Sequence, residues 1–158
     1  MAKLILQTTD LALETRRRTA ISARLNRAPS PVGMKAAVQK HEKDYPTATH
    51  RPVGPCNTYN CHGLTFGARR GWIHDPIEVQ TILDEDDYSE VPFAAVMAGD
   101  IAVYRKNGIV EHSGIVVEKS GLNPKILSKW AMLHEAIHFP FDCPYSDMVV
   151  TYYRISDV

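Results

Sequence analysis

The sequence predicts an α+β domain, and three observations carry that expectation. The chain has 158 residues, enough for one domain with a real core. Its first fifty residues read as helical and polar. From Gly99 onward it breaks into short β-rich runs separated by turn residues. Helices first and strands afterwards is the pattern of helices packed on one face or end of an antiparallel sheet.

In order, "TTDLALETRRRTAISARLNRA" is expected to be a helix with Thr9 or Asp10 as N-cap. Leu11, Ile21 and Leu25 share its stripe, and Arg16, Arg17 and Arg18 form a solvated face. "SPVGMKAAVQKHEKDYP" reads as a second helix, with Ser30 as N-cap and Pro31 at the first helical position, ending before Pro46. Residues 1–50 are thus a helical extension packed on the same domain, and residues 51–158 are the core that holds the chemistry. A proline-rich loop leads to "CNTYNCHGLTFG", where Cys61 starts a short helix. "DPIEVQTILDEDDYSEVP" gives another short helix and an acidic loop from Asp84 to Glu90. The runs "GDIAVYRKNG", "EHSGIVVEKSG", "KILSKWA" and "MVVTYYRI" are strands.

Composition narrows the function. Lys plus Arg number 18 and Asp plus Glu number 18, so no basic face suggests a nucleic-acid partner. No apolar run reaches the roughly 7–15 residues of a secretory signal or the roughly 18 of a membrane span. The expectation is a protein made in the cytoplasm, with any export by a route that cleaves no signal, and with no membrane partner. Three cysteines, an odd number, argue for reduced thiols rather than a disulfide framework.

The reactive groups are few. Cys61 stands where a loop enters a helix, so free backbone N–H groups and the helix dipole favour its thiolate, and Gly63 leaves room for a substrate. Cys56, inside the proline-rich loop, lacks that setting. His112, at a strand end beyond the Asn107-Gly108 turn, is the candidate base. "ILSKWAMLHEAIH" offers Ser128, Lys129, His134, Glu135 and His138 as a third polar group.

The segments "YNCHGLTFG", "GDIAVY" and "EHSGIVVE", in that order, resemble motifs of the NlpC/P60 and CHAP families, papain-like cysteine peptidases and amidases. Tyr59 to Leu64 resemble the nucleophile motif, Gly99-Asp100 the step before a strand, and His112 to Val116 the base motif. The resemblance spans about Tyr59 to Trp130. It implies a papain-like fold of helices packed on a small antiparallel sheet. It also implies a peptide or peptidoglycan substrate and no cofactor or metal, with Cys61 as nucleophile, His112 as base, and Tyr59 or Asn60 helping the oxyanion. The strand after the base has no matching His or Asn. The tail is closer to papain-like domains of unknown function, which places the third role on His138, with Ser128 and His134 as alternatives.

Other readings stand beside it. The same constellation would serve a deamidase or transglutaminase-like toxin, whose partner would include an immunity protein. His134-Glu135-Ala136-Ile137-His138 fits H-E-x-x-H and would make a zinc hydrolase if it were helical. A binding module with an inert, buried Cys61 is the non-enzymatic reading. Asp100 is expected to be structural, bonding backbone at a strand start.

Overall fold

A computed structural model of the chain describes residues 8–27, 32–51 and 56–156. The expected helix-rich, papain-like arrangement is not what the chain forms: the described residues are mostly β, with a seven-stranded antiparallel sheet, a two-stranded sheet and three short α-helices. The largest correction lies at the N-terminus. The segment read as the first helix is a hairpin of β1 (Thr8–Glu14) and β2 (Ala20–Asn26), paired antiparallel with Leu11 opposite Ala23 and Leu13 opposite Ile21. Leu11, Leu13, Ile21 and Ala23 alternate with exposed residues at the strand period of two and pack into one core cluster. Arg16, Arg17 and Arg18 are therefore the turn between strands, where Arg18 takes a left-handed φ of 68°.

The second expected helix forms as α1 (Met34–Asp44) and stops before Pro46. Its expected Ser30 cap and Pro31 lie outside the described residues, and Gly33 is the observed N-cap. At the end of the expected N-terminal extension, β3 (Thr49–His50) is an edge strand of the large sheet. Next come α2 (Cys61–Phe66), α3 (Pro76–Glu85) and β4 (Tyr88–Val91). The expected acidic loop is thus in part a strand. The C-terminal strands are β5 (Ile101–Lys106), β6 (Ile109–Ser120), β7 (Asn123–Lys129), β8 (Glu135–His138) and β9 (Val149–Ile155). Four of these five were legible as strands; β8 is the segment the zinc reading required as a helix.

The sheet order is β3-β8-β7-β6-β5-β9-β4. Side chains alternate across it and build two separate cores. One face carries Ile101, Val103 and Ile115 against α3 and the hairpin, and Leu127 and Ile137 against Tyr59 and Leu64. The other carries Ala102, Tyr104, Val116, Ile126 and Ala136 around Trp130, with Tyr45, at the end of α1, packed against them. Asp100 is structural as expected: it is buried, accepts from Met97 N at 2.8 Å, and takes both Nε and Nη2 of Arg154, at 2.7 and 2.8 Å.

Candidate functional site: a thiol in a breach of the sheet

Cys61 is the first residue of α2, and Asn60 caps that helix by accepting from Gly63 N at 2.9 Å. The same Asn60 side chain accepts from Ile73 N and donates to Ile73 O, at 3.2 and 2.8 Å. It locks the helix start to the chain after Gly71. Gly63 serves this contact rather than a substrate: a Cβ there would sit 1.7 Å from the Gly71 carbonyl oxygen. Asn60 is fully engaged and so is Tyr59, whose hydroxyl donates to Glu135 at 2.5 Å. Neither side chain is free to serve an oxyanion.

The strand pairing explains where the thiol sits. β7 pairs with β6 only from Ile115 onward, so Gly114, Ser113 and His112 lie beyond the paired stretch. The start of α2 fills that breach. Backbone hydrogen bonding at Ser113, His62 and Cys61 itself favours the Cys61 thiolate. Burial still dominates: the thiol is 7% exposed, and desolvation pushes it up to about 11 against the pull of those bonds and of Lys129.

His112 and Ser113 point to opposite faces. Ser113 Oγ meets His62 Nδ1 at 2.7 Å and donates to Thr65 Oγ1 at 3.0 Å, on the α2 side. His112 lies on the Trp130 side and is wholly buried, with neither ring nitrogen hydrogen-bonded among the described residues. Its ring stacks on Tyr145, with centroids 3.6 Å apart and planes 10° apart, and lies edge-on to Tyr104. Burial drives its pKa well below the ordinary value, with His138 and His62 adding to the effect. Backbone at Ser113 acts on Cys61, and His112 is the preceding residue of β6; among the described residues no hydrogen bond joins the two side chains.

Tyr145 was not legible in the sequence. It lies in the connection between β8 and β9, stacked on His112, and the Cys61 thiol and a backbone bond from Ala131 both act on its hydroxyl. Burial, first, and Cys61 raise its pKa, so the phenol remains a proton donor. His62 was also missed as a site residue; burial holds it neutral, at about 4.

The expected third member is elsewhere. His138 bonds Ser128 Oγ through Nε2 at 2.7 Å and the Phe139 carbonyl through Nδ1 at 2.8 Å, so both its nitrogens are used. Ser128 and His138 hold each other rather than His112. His134 bonds His50 Nδ1 at 2.7 Å beside Trp130. With HEAIH as a strand, His134 and His138 stand roughly 13 Å apart along it at about 3.3 Å per residue. That is too far for one tetrahedral metal with nitrogen ligands at about 2.0–2.1 Å.

Glu135 is no free general base either. Burial alone would raise its pKa, but hydrogen bonds from Arg69 and Tyr59 and the charges of Arg69 and Arg51 outweigh that and lower it. Arg69 contacts it at 2.6 and 3.1 Å, and Arg51 lies 3.5 Å away. No group of three or more His, Cys, Asp or Glu side chains among the described residues could hold a metal ion. No helix among the described residues is long and apolar enough to cross a membrane.

Compared with known proteins, the chain matches no family model, no curated protein and no solved structure.

Proposed function

We propose that the protein is a cysteine-dependent acyl-transfer hydrolase, acting on an amide or related carbonyl, with Cys61 as nucleophile and His112 as base. The observation that carries this reading is the breach in the sheet. Backbone hydrogen bonding at Ser113, His62 and Cys61 itself favours the Cys61 thiolate, and Tyr145 links that thiol to His112: Cys61 acts on its hydroxyl and the imidazole stacks on its ring. Both nitrogens of that imidazole are unpartnered among the described residues. Buried polar atoms without partners are costly, and retained ones mark functional positions.

In the reaction, His112 takes the Cys61 proton and the thiolate attacks the carbonyl carbon. The N–H groups at the start of α2 receive the oxyanion, a role the Tyr59 and Asn60 side chains do not fill. His112 then returns the proton to the leaving amine, and water cleaves the thioester. Burial favours the neutral thiol and neutral imidazole when the site is closed. Substrate entry displaces the Tyr145 ring from His112, hydrates the pair and allows proton transfer.

The test is acyl trapping. With p-nitrophenyl acetate the account expects an acetyl adduct on Cys61 and none on Cys56 or Cys143, located by peptide mass spectrometry. His112→Ala should slow its formation by about 10²-fold or more. An intact, folded protein that acetylates elsewhere, or not at all, removes the nucleophile from Cys61.

A further inference from the structure

On the α2 side of the sheet, beside the thiol, three cations surround one carboxylate. Glu135 is 1% exposed and receives Arg69 Nε at 2.6 Å, with Arg51 Nε at 3.5 Å. Lys129, opposite Glu135 in the β7–β8 register, is also 1% exposed. Its ammonium donates to the carbonyls of Cys56 and Ala131 at 3.0 and 2.9 Å and lies over the Tyr59 ring. Among the described residues, Arg51 and Arg69 pair with no carboxylate but Glu135, and Lys129 pairs with none. Three positive charges against one negative leave a surplus of two.

One guanidinium would satisfy a buried carboxylate. The second, and the ammonium, exceed what Glu135 needs. The guanidinium side chains are 40% and 46% exposed, so they keep donors facing solvent while their inner atoms hold Glu135. Tyr59 ties this cluster to the thiol: its hydroxyl is on Glu135, its ring is under Lys129, and it is two residues before Cys61.

We propose that Arg51 and Arg69, with the buried charge of Lys129 behind them, form a subsite for an anionic group of the substrate, a carboxylate or a phosphate, next to the carbonyl presented to Cys61. This rests on the nucleophile reading above and adds the charge of the substrate to it. A local surplus of positive charge draws counter-ions and speeds their encounter.

Two arms test it on the intact protein. In the first, the alkylation rate of Cys61 by iodoacetate is divided by that by iodoacetamide, and the ratio is compared with that of free cysteine. The subsite predicts a ratio about tenfold above the reference, falling toward it in high salt and in Arg51→Gln. The second arm needs no reactive thiol. Inorganic phosphate or acetate, at constant ionic strength, should raise the melting temperature of the wild type and not of Arg51→Gln. A rise with phosphate alone assigns a phosphorylated substrate, and a rise with acetate a carboxylate. A Cys61 inert to both reagents, with the melting shift present, removes the nucleophile and keeps the anion site. A ratio at the reference with no melting shift overturns the subsite, whatever the fate of Cys61.

Discussion

On the α2 face of the sheet, Glu135 takes Tyr59 and two arginines, Ser113 takes His62 and Thr65, and Asn60 uses both ends of its amide. On the Trp130 face, both nitrogens of His112, Nδ1 of His134 and Nε1 of Trp130 are buried without a hydrogen-bond partner. The same sheet, with polar groups buried to the same depth, has one face that completes its hydrogen bonds and another that leaves several open. A completed network holds a structure in place; open, desolvated imidazoles hold a potential for proton transfer at the cost of stability. The breach between β6 and β7 joins the two, with Cys61 held from the first face and His112 presented from the second.

The largest effect should come from breaking the completed face. Arg69→Met removes the closest cation from buried Glu135 and leaves it Tyr59, Lys129 and the more distant Arg51, a loss of about 2–3 kcal/mol in urea denaturation. A loss below about 1 kcal/mol would mean that the Glu135 network carries little of the fold.

Acid sharpens the contrast next. Burial lowers His62, His134 and His138 to about 4, below the ordinary 6.5. Below 6.5 the unfolded chain binds protons that the folded chain refuses, so unfolding becomes easier as pH falls. Their contribution is intact above about 6.5 and is lost as pH falls from there through about 4, at up to about 1.4 kcal/mol per pH unit for each histidine. Melting temperature against pH reads this directly; a flat curve between pH 6.5 and 4 would contradict the buried, neutral histidines.

The smallest effect is the most diagnostic. His112→Phe keeps a ring to stack on Tyr145 and removes two unpartnered nitrogens. It should change stability by less than about 1 kcal/mol, in either direction, while ending acyl transfer. A large destabilisation would make His112 a structural residue.

Parts of this organisation were legible in the sequence. The loop entering at Cys61 marked a helix start, and the β-rich runs after Gly99, cut by Asn107-Gly108 and Gly121, marked β5, β6, β7 and β9. The N-terminal hairpin was missed because Leu11, Ile21 and Leu25 also fit a helical stripe, and because its turn runs through three arginines instead of glycine or proline. HEAIH fits both periods, since i and i+4 share a face in a helix and in a strand; the pairing with β7 and β3 decides for the strand. Tyr145 sits in an irregular connection with no periodicity, so only its packing on His112 reveals it. His138 lies close enough to act on His112, but sequence order carries no information on which hydroxyl an imidazole meets, and Ser128 meets its Nε2.

The central claim is that His112 serves Cys61, and the rate of Cys61 alkylation by iodoacetamide against pH tests it most directly, in the wild type, His112→Ala and Tyr145→Ala. The account predicts reaction at neutral pH, far below the value of about 11 that burial gives the closed thiol. It also predicts a loss of about tenfold or more in His112→Ala and a gain in Tyr145→Ala, where the covering ring is gone. A Cys61 that reacts only as the pH approaches 11, at the same rate in all three proteins, would contradict it.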